Sequence, residues 1–216
     1  MAERMIDTSR WQGSCSALPL PNYGQVIAEG VTYMAFKATQ GYLIDRVFTY
    51  ALQESERLGI KWGGYHYWIK EDTTRSAQGF ANLVKGSPIP PIVDFEPDKT
   101  VANIWGKQLK PFLDEVEFVA GRRPWIYTGA GYWNRFFPTP PEWIGNYKLW
   151  MAAYPYKKTS WTPLTQWDPM QYTYQKPALP IGWSEEQLVA WQFSESGSIP
   201  GIQGQIDLDW IYTEKL

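Results

Sequence analysis

Eight short apolar runs with strand character recur along this chain, and through its first half they alternate with segments whose apolar positions keep helical spacing. The runs are Met5-Ile6-Asp7, Thr32 to Ala38, Trp62 to Trp68, Ile92 to Glu96, Pro124 to Thr128, Lys148 to Ala153, Leu188 to Phe193 and a last short one at Gln205-Ile206-Asp207. The helical candidates are Tyr23 to Glu29, Asp45 to Leu58, Thr73 to Val84 and Val101 to Val119. Alternating β and α segments require a parallel sheet, and eight strands are the number that closes a barrel. After Tyr132 the helical periodicity fades, and the links between strands become rich in Pro, Trp and Tyr. The expected fold class is therefore α/β: a single irregular TIM-like (β/α) barrel, with β/α units in the first half and strands with few helices in the second. No Gly/Ser linker and no fixed repeat divides the chain, so residues 1–216 are read as one domain. Residues 155–187, which hold Trp161, Trp167, Tyr172, Tyr174 and Trp183, read as an aromatic and Pro-rich loop insertion.

In a barrel of parallel strands the reactive groups sit at the carboxyl ends of the strands. The segment Ile92-Val93-Asp94-Phe95-Glu96 is the sharpest case. Side chains alternate along a strand, so Asp94 and Glu96 face one way and Phe95 the other. Like charges roughly 6 to 7 Å apart raise each other's pKa, which suits one acid and one carboxylate in the same site. Asp7 ends the first run, Tyr127 the fifth and Asp207 the last, and Tyr154 follows the sixth. Acids from three strands would then meet at one mouth.

Composition excludes several classes. A formal net charge of -2 with no basic block argues against nucleic acid as a partner. Cys15 and His66 are the only residues of their kinds, so no intramolecular disulfide, zinc cluster or metal site is expected, and no cofactor. No apolar run approaches a membrane span, and Met1-Ala2-Glu3-Arg4 leads straight into the first strand run without a secretory h-region. Synthesis in the cytoplasm without a signal peptide, no membrane insertion and a monomeric state are the expectations.

Seven blocks in order resemble the family 25 glycoside hydrolases, the Chalaropsis-type lysozymes or N-acetylmuramidases of phage endolysins and autolysins. They are Ile6-Asp7-Thr8-Ser9 with Gln12-Gly13, Phe36-Lys37-Ala38-Thr39-Gln40-Gly41 with Asp45, Gly64-Tyr65-His66-Tyr67, Ile92-Val93-Asp94-Phe95-Glu96, Trp125-Ile126-Tyr127-Thr128, Leu149-Trp150-Met151-Ala152 with Tyr154, and Trp191-Gln192-Phe193 with Gly201-Ile202 and Ile206-Asp207-Leu208-Asp209. The resemblance implies an irregular barrel that hydrolyses the β-1,4 bond between N-acetylmuramic acid and N-acetylglucosamine in peptidoglycan. It implies Glu96 as general acid/base and Asp94 as the carboxylate assisting the reacting sugar, with Asp7 and Asp207 as supporting acids. It further implies a retaining route assisted by the substrate's own acetamido group. Lys37, Tyr67, Tyr127, Trp150, Tyr154 and Gln192 are the substrate-binding candidates. The partner would be cell-wall peptidoglycan, reached after lysis, through a holin or on a phage particle, with no separate wall-binding domain.

Blander readings stand beside these. Asp7 and Asp207 could cap a following turn or helix. Lys37 is equally a ligand contact or an ion-pair partner, His66 reads as a structural histidine, and Cys15 as a loop thiol. Where relatives carry Glu in the second block this chain has Gln40, which removes a charge near the mouth. A chitinase-like hydrolase of another N-acetylated glycan and a non-catalytic glycan-binding barrel are the competing functions.

Overall fold

The computed structural model describes residues 1–13, 18–69, 74–97, 106–154, 167 and 177–216. Eight strands close a barrel: β1 (Ala2–Thr8), β2 (Val31–Gln40), β4 (Lys61–Tyr67), β5 (Ile92–Asp94), β6 (Trp125–Gly129), β7 (Lys148–Ala152), β8 (Leu188–Gly197) and β9 (Ile206–Tyr212). A two-residue strand, β3 (Leu43–Ile44), extends β2 as a hairpin. The order β1-β9-β8-β7-β6-β5-β4-β2 closes through pairing of β1 with β2. Neighbours are parallel from β1 through β2, β4, β5, β6 and β7 to β8.

One strand corrects the expectation from sequence. β9 runs antiparallel to both β8 and β1, and Asp207 lies at its beginning rather than at the end of a strand. The physical reason is the link from Gly197 to Ile206, which is shorter than the dozen or more residues a parallel crossover needs. Reversal brings the amino end of β9 to the mouth formed by the carboxyl ends of the other seven, with Asp207 opposite Asp7.

Strand alternation divides the core in two. Met5, Tyr33, Ala35, Ile92, Trp125, Tyr127, Trp150, Ala190 and Ile211 fill the barrel. Their neighbours Ile6, Met34, Phe36, Val93, Ile126, Leu149, Phe193 and Leu208 face outward. The helices α1 (Tyr23–Ala28), α2 (Phe48–Leu58), α3 (Thr74–Val84) and α4 (Gly106–Ala120) supply Val26, Ala51, Phe80, Val84, Leu113 and Val116 to that outer layer. α2 starts at Phe48 rather than Asp45 because the Asp45 carboxylate accepts from the Val47 amide at 3.0 Å and serves the helix start from outside. The expected beginning of α4 at Val101 lies outside the described residues. A fifth helix, α5 (Ala130–Phe136), stands where periodicity faded; two turns are too short to show it.

Gly64 lets α3 close on the sheet: a Cβ there would lie 2.3 Å from Val84 Cγ1. His66 points outward between Phe80 and Phe112, with ring centroids 5.3 and 4.8 Å away, and its Nδ1 shares a hydrogen bond of 2.7 Å with Thr39 Oγ1. It is the structural histidine its position implied.

Of the 155–187 segment, only residue 167 and residues 177–187 are described. Trp167 packs on Phe193 and Trp210 of the outer wall, and Trp183 packs on Trp133 of α5 with centroids 5.3 Å apart. Trp167 thus covers β8 and β9, while Trp183 covers α5. Trp161, Tyr172 and Tyr174, like Cys15, lie outside the described residues.

Candidate active site

The alternation that fills the barrel also builds its mouth. Two residues beyond Met5, Ala35, Ile92 and Ala190 come Asp7, Lys37, Asp94 and Gln192 on the same interior face. They line a cavity of about 270 Å³ together with Tyr67, Glu96, Tyr127, Trp150, Tyr154 and Asp207, so all ten residues proposed from the sequence meet there. Ser9, Trp11, Gln12, Tyr65 and Glu195 complete the lining. Tyr65 was legible by the same rule, two residues before Tyr67. Glu195 was not, because irregular pairing between β8 and β9 breaks the alternation beyond Gln192.

Phe95 anchors the acid pair. It is fully buried among Trp68, Trp133, Phe136 and Phe137, and burying such a ring contributes about 1.5–3 kcal/mol. Its N–H donates to the Tyr127 carbonyl at 2.8 Å and its carbonyl accepts from Thr128 Oγ1 at 2.8 Å. With Phe95 fixed outward, Asp94 and Glu96 are held toward the cavity, although the strand itself ends at Asp94.

Burial first, and then the charges of Asp7 and Glu195, push the Glu96 carboxyl up to about 7. Asp94 is raised well above the usual carboxylate range by burial and by Glu96, against the opposing charge of Lys37. Its Oδ1 is buried and accepts no hydrogen bond. Lys37 donates to Gln40 Oε1 at 2.7 Å and lies 4.5 Å from the centre of the Tyr67 ring. Burial lowers its pKa.

Gln192 joins one flank. Its Nε2 donates to Asp7 Oδ2 at 2.7 Å, while Tyr127 and Tyr154 hydroxyls donate to its Oε1 at 2.8 and 2.7 Å. Burial keeps both phenols protonated by raising their pKa values. Asp7 and Asp207 share a hydrogen bond. Burial raises Asp7 to about 6, and burial with the Asp7 charge pushes Asp207 well above the usual carboxylate range. Neither acid caps a turn. Ser9 does that work, accepting from the Trp11 amide while Gln12 Oε1 accepts from the Ser9 amide.

Sequence reasoning did not single out Asp209. It sits one interior step below Asp207, fully buried, and Oδ1 accepts from Trp150 Nε1 at 2.8 Å. Burial and the charges of Asp7 and Asp207 push it well above the carboxylate range. The spacing Asp207-Leu208-Asp209, identical to Asp94-Phe95-Glu96, was the available signal.

Comparison with known proteins agrees with this architecture. The description of the glycosyl hydrolases family 25 matches residues 6–202. The Escherichia coli K12 protein YegX is 26% identical over 211 residues, covering 94% of this chain and 67% of its own length. The autolytic lysozyme of Clostridium acetobutylicum is 25% identical over 211 residues, and this chain spans 54% of it. The crystal structure of the bacterial lysozyme from Streptomyces coelicolor has the same fold, with a TM-score of 0.77 at 22% identity over 97% of this chain and 91% of that one. The family match runs from the first barrel strand to the link before the last and takes in the acid pair, and on that evidence the chain belongs to the glycosyl hydrolases family 25.

Proposed function

We propose that the protein is an N-acetylmuramidase that hydrolyses the β-1,4 bond between N-acetylmuramic acid and N-acetylglucosamine in peptidoglycan, with Glu96 as general acid and base. Family membership supports a glycan-hydrolysing enzyme acting on cell-wall peptidoglycan. The observation that carries the finer reading is the pair at the end of β5: one carboxyl held protonated up to about 7, beside a buried carboxylate oxygen with no partner.

Glu96 donates its proton to the glycosidic oxygen as the bond to the muramic acid C1 breaks. Positive charge grows at C1 and the ring oxygen, and the carbonyl oxygen of the sugar's 2-acetamido group attacks C1 to form a cyclic oxazolinium. Asp94 Oδ1 accepts the acetamido N–H, which aligns the nucleophile and balances the charge. Glu96, now a carboxylate, removes a proton from water as that water attacks C1 and reopens the ring. Two inversions leave the β configuration retained. Asp7 and Asp207 hold the negative flank, and Tyr127, Trp150 and Tyr154 offer ring faces and edges to the sugar.

The test is incubation with purified peptidoglycan, borohydride reduction of the new ends and mass spectrometry, with Glu96→Gln alongside. Reduced muramic acid ends from the wild type and their loss in the variant are expected. Reduced glucosamine ends, or no new ends at all, would overturn the proposal.

A further inference from the structure

A second cavity, of about 350 Å³, opens beside the cleft, and Lys37 lines both. Arg10 and Arg46 are among its lining residues. The acid among them, Asp45, is already occupied: Oδ1 accepts from the Val47 amide at 3.0 Å and Oδ2 from the Arg10 amide at 3.2 Å. The Arg10 guanidinium lies over the Trp11 ring at 5.1 Å, and its Nε is buried with no hydrogen-bond partner. Neither arginine forms an ion pair among the described residues. Leu43 and Ile44 of the β2–β3 hairpin add an apolar side to the cavity and are 72% and 53% exposed.

A buried donor without an acceptor is costly, and a cavity lined by two arginines and Lys37 favours a carboxylate, which a guanidinium binds in planar, two-point fashion. Peptidoglycan differs from chitin in carrying such groups beside the sugar. The lactyl ether at C3 of muramic acid bears a short peptide with free carboxylates and alanyl methyls. Because Lys37 lines both cavities, a muramic acid seated beside it would bring that peptide next to the second one.

We propose that the cavity between Arg10, Arg46 and the β2–β3 hairpin binds a carboxylate of the peptide stem of muramic acid, so that the enzyme reads the stem as well as the glycan. The idea rests on the muramidase reading for its substrate class, and binding rather than turnover tests it. The probes are the disaccharide N-acetylglucosaminyl-N-acetylmuramic acid with its lactyl carboxyl capped as the methylamide, the same disaccharide carrying a tetrapeptide stem, and that muropeptide with its carboxylates amidated. None contains the bond to be cut.

By titration calorimetry the wild type should bind the stem-bearing disaccharide roughly tenfold more tightly than the bare one, the scale of a charged hydrogen bond. The amidated muropeptide should bind like the bare disaccharide. Arg46→Glu and the double variant Arg10→Ala/Arg46→Ala should lose the preference while keeping affinity for the bare disaccharide. Arg46 is exposed and outside the core, so its substitution leaves the fold intact. Equal affinity of the wild type for the bare and stem-bearing ligands, including binding of neither, would overturn the proposal, as would a preference surviving in the double variant. A clear preference with no new reducing ends from peptidoglycan would sink the muramidase reading instead and leave the stem site standing.

Discussion

Glu96 and Asp94 divide a single task between protonation states, and each state has a measurable signature. The acid must carry its proton, so kcat/KM is expected to fall as pH rises through about 7, where Glu96 ionises. A pH profile with no decline between 6 and 9 would remove Glu96 from that role. Asp94→Asn exchanges a charged acceptor for a weaker one and should lower kcat at least a hundredfold, with substrate affinity much less affected. Steady-state kinetics on a defined glycan checks the split. Gln192→Leu removes one partner from the Asp7 carboxylate and the acceptor of the Tyr127 and Tyr154 hydroxyls. A loss of about 1–3 kcal/mol is expected in urea titration. At this scale the sequence was informative at the ends of the apolar runs, where Asp7 and Tyr127 stand, while Lys37 and Gln192 came from the family resemblance. It was silent on Glu195, where pairing turns irregular, and on what Lys37 touches, because a register shift between Lys37 and Thr39 breaks the alternation before Gln40.

Among the elements, all eight barrel strands can be located from their apolar runs, but their directions cannot. A period of two reads the same from either end, so β9 looked like a last parallel strand. Only the short link after Gly197 distinguishes it, by a length argument rather than a pattern. The α5 helix was missed for a related reason, since seven residues hold too little periodicity to separate from a loop. Close approach between elements is equally invisible until the structure is seen: Gly64 in β4 reads as a weak strand residue, yet its bare Cα is where α3 rests. Gly64→Val is expected to force α3 away at a cost of about 1–3 kcal/mol. Chemical denaturation with an unchanged slope would register it, and wild-type stability would mean that Val84 can move aside freely.

For the molecule as a whole, the mouth is a store of unfavourable charge. Asp7, with a folded value of about 6, and Glu96, with about 7, both lie above the ordinary values of 3.8 and 4.5 they would take unfolded. Between those limits the folded state binds more protons than the unfolded one, so stability is greatest below about pH 4 to 5 as far as these groups contribute, and declines as pH rises through 6 and 7. Asp94, Asp207 and Asp209 are raised as well and act in the same direction. Thermal unfolding should therefore show a lower Tm at pH 8 than at pH 5. Glu96→Gln should raise the pH 8 value and narrow the gap. A Tm that rises from pH 5 to pH 8 would contradict this account. The reversed last strand also decides where the two ends of the chain emerge. β1 climbs toward the mouth and β9 descends from it, so Ala2 pairs with Tyr212, and the Thr213 amide and hydroxyl both bond to the Met1 carbonyl at 3.0 Å. Both termini thus leave from the base of the barrel, side by side. A reporter, tether or targeting module joined at either end would be carried on the face turned away from the glycan, where its bulk could not shade the cleft.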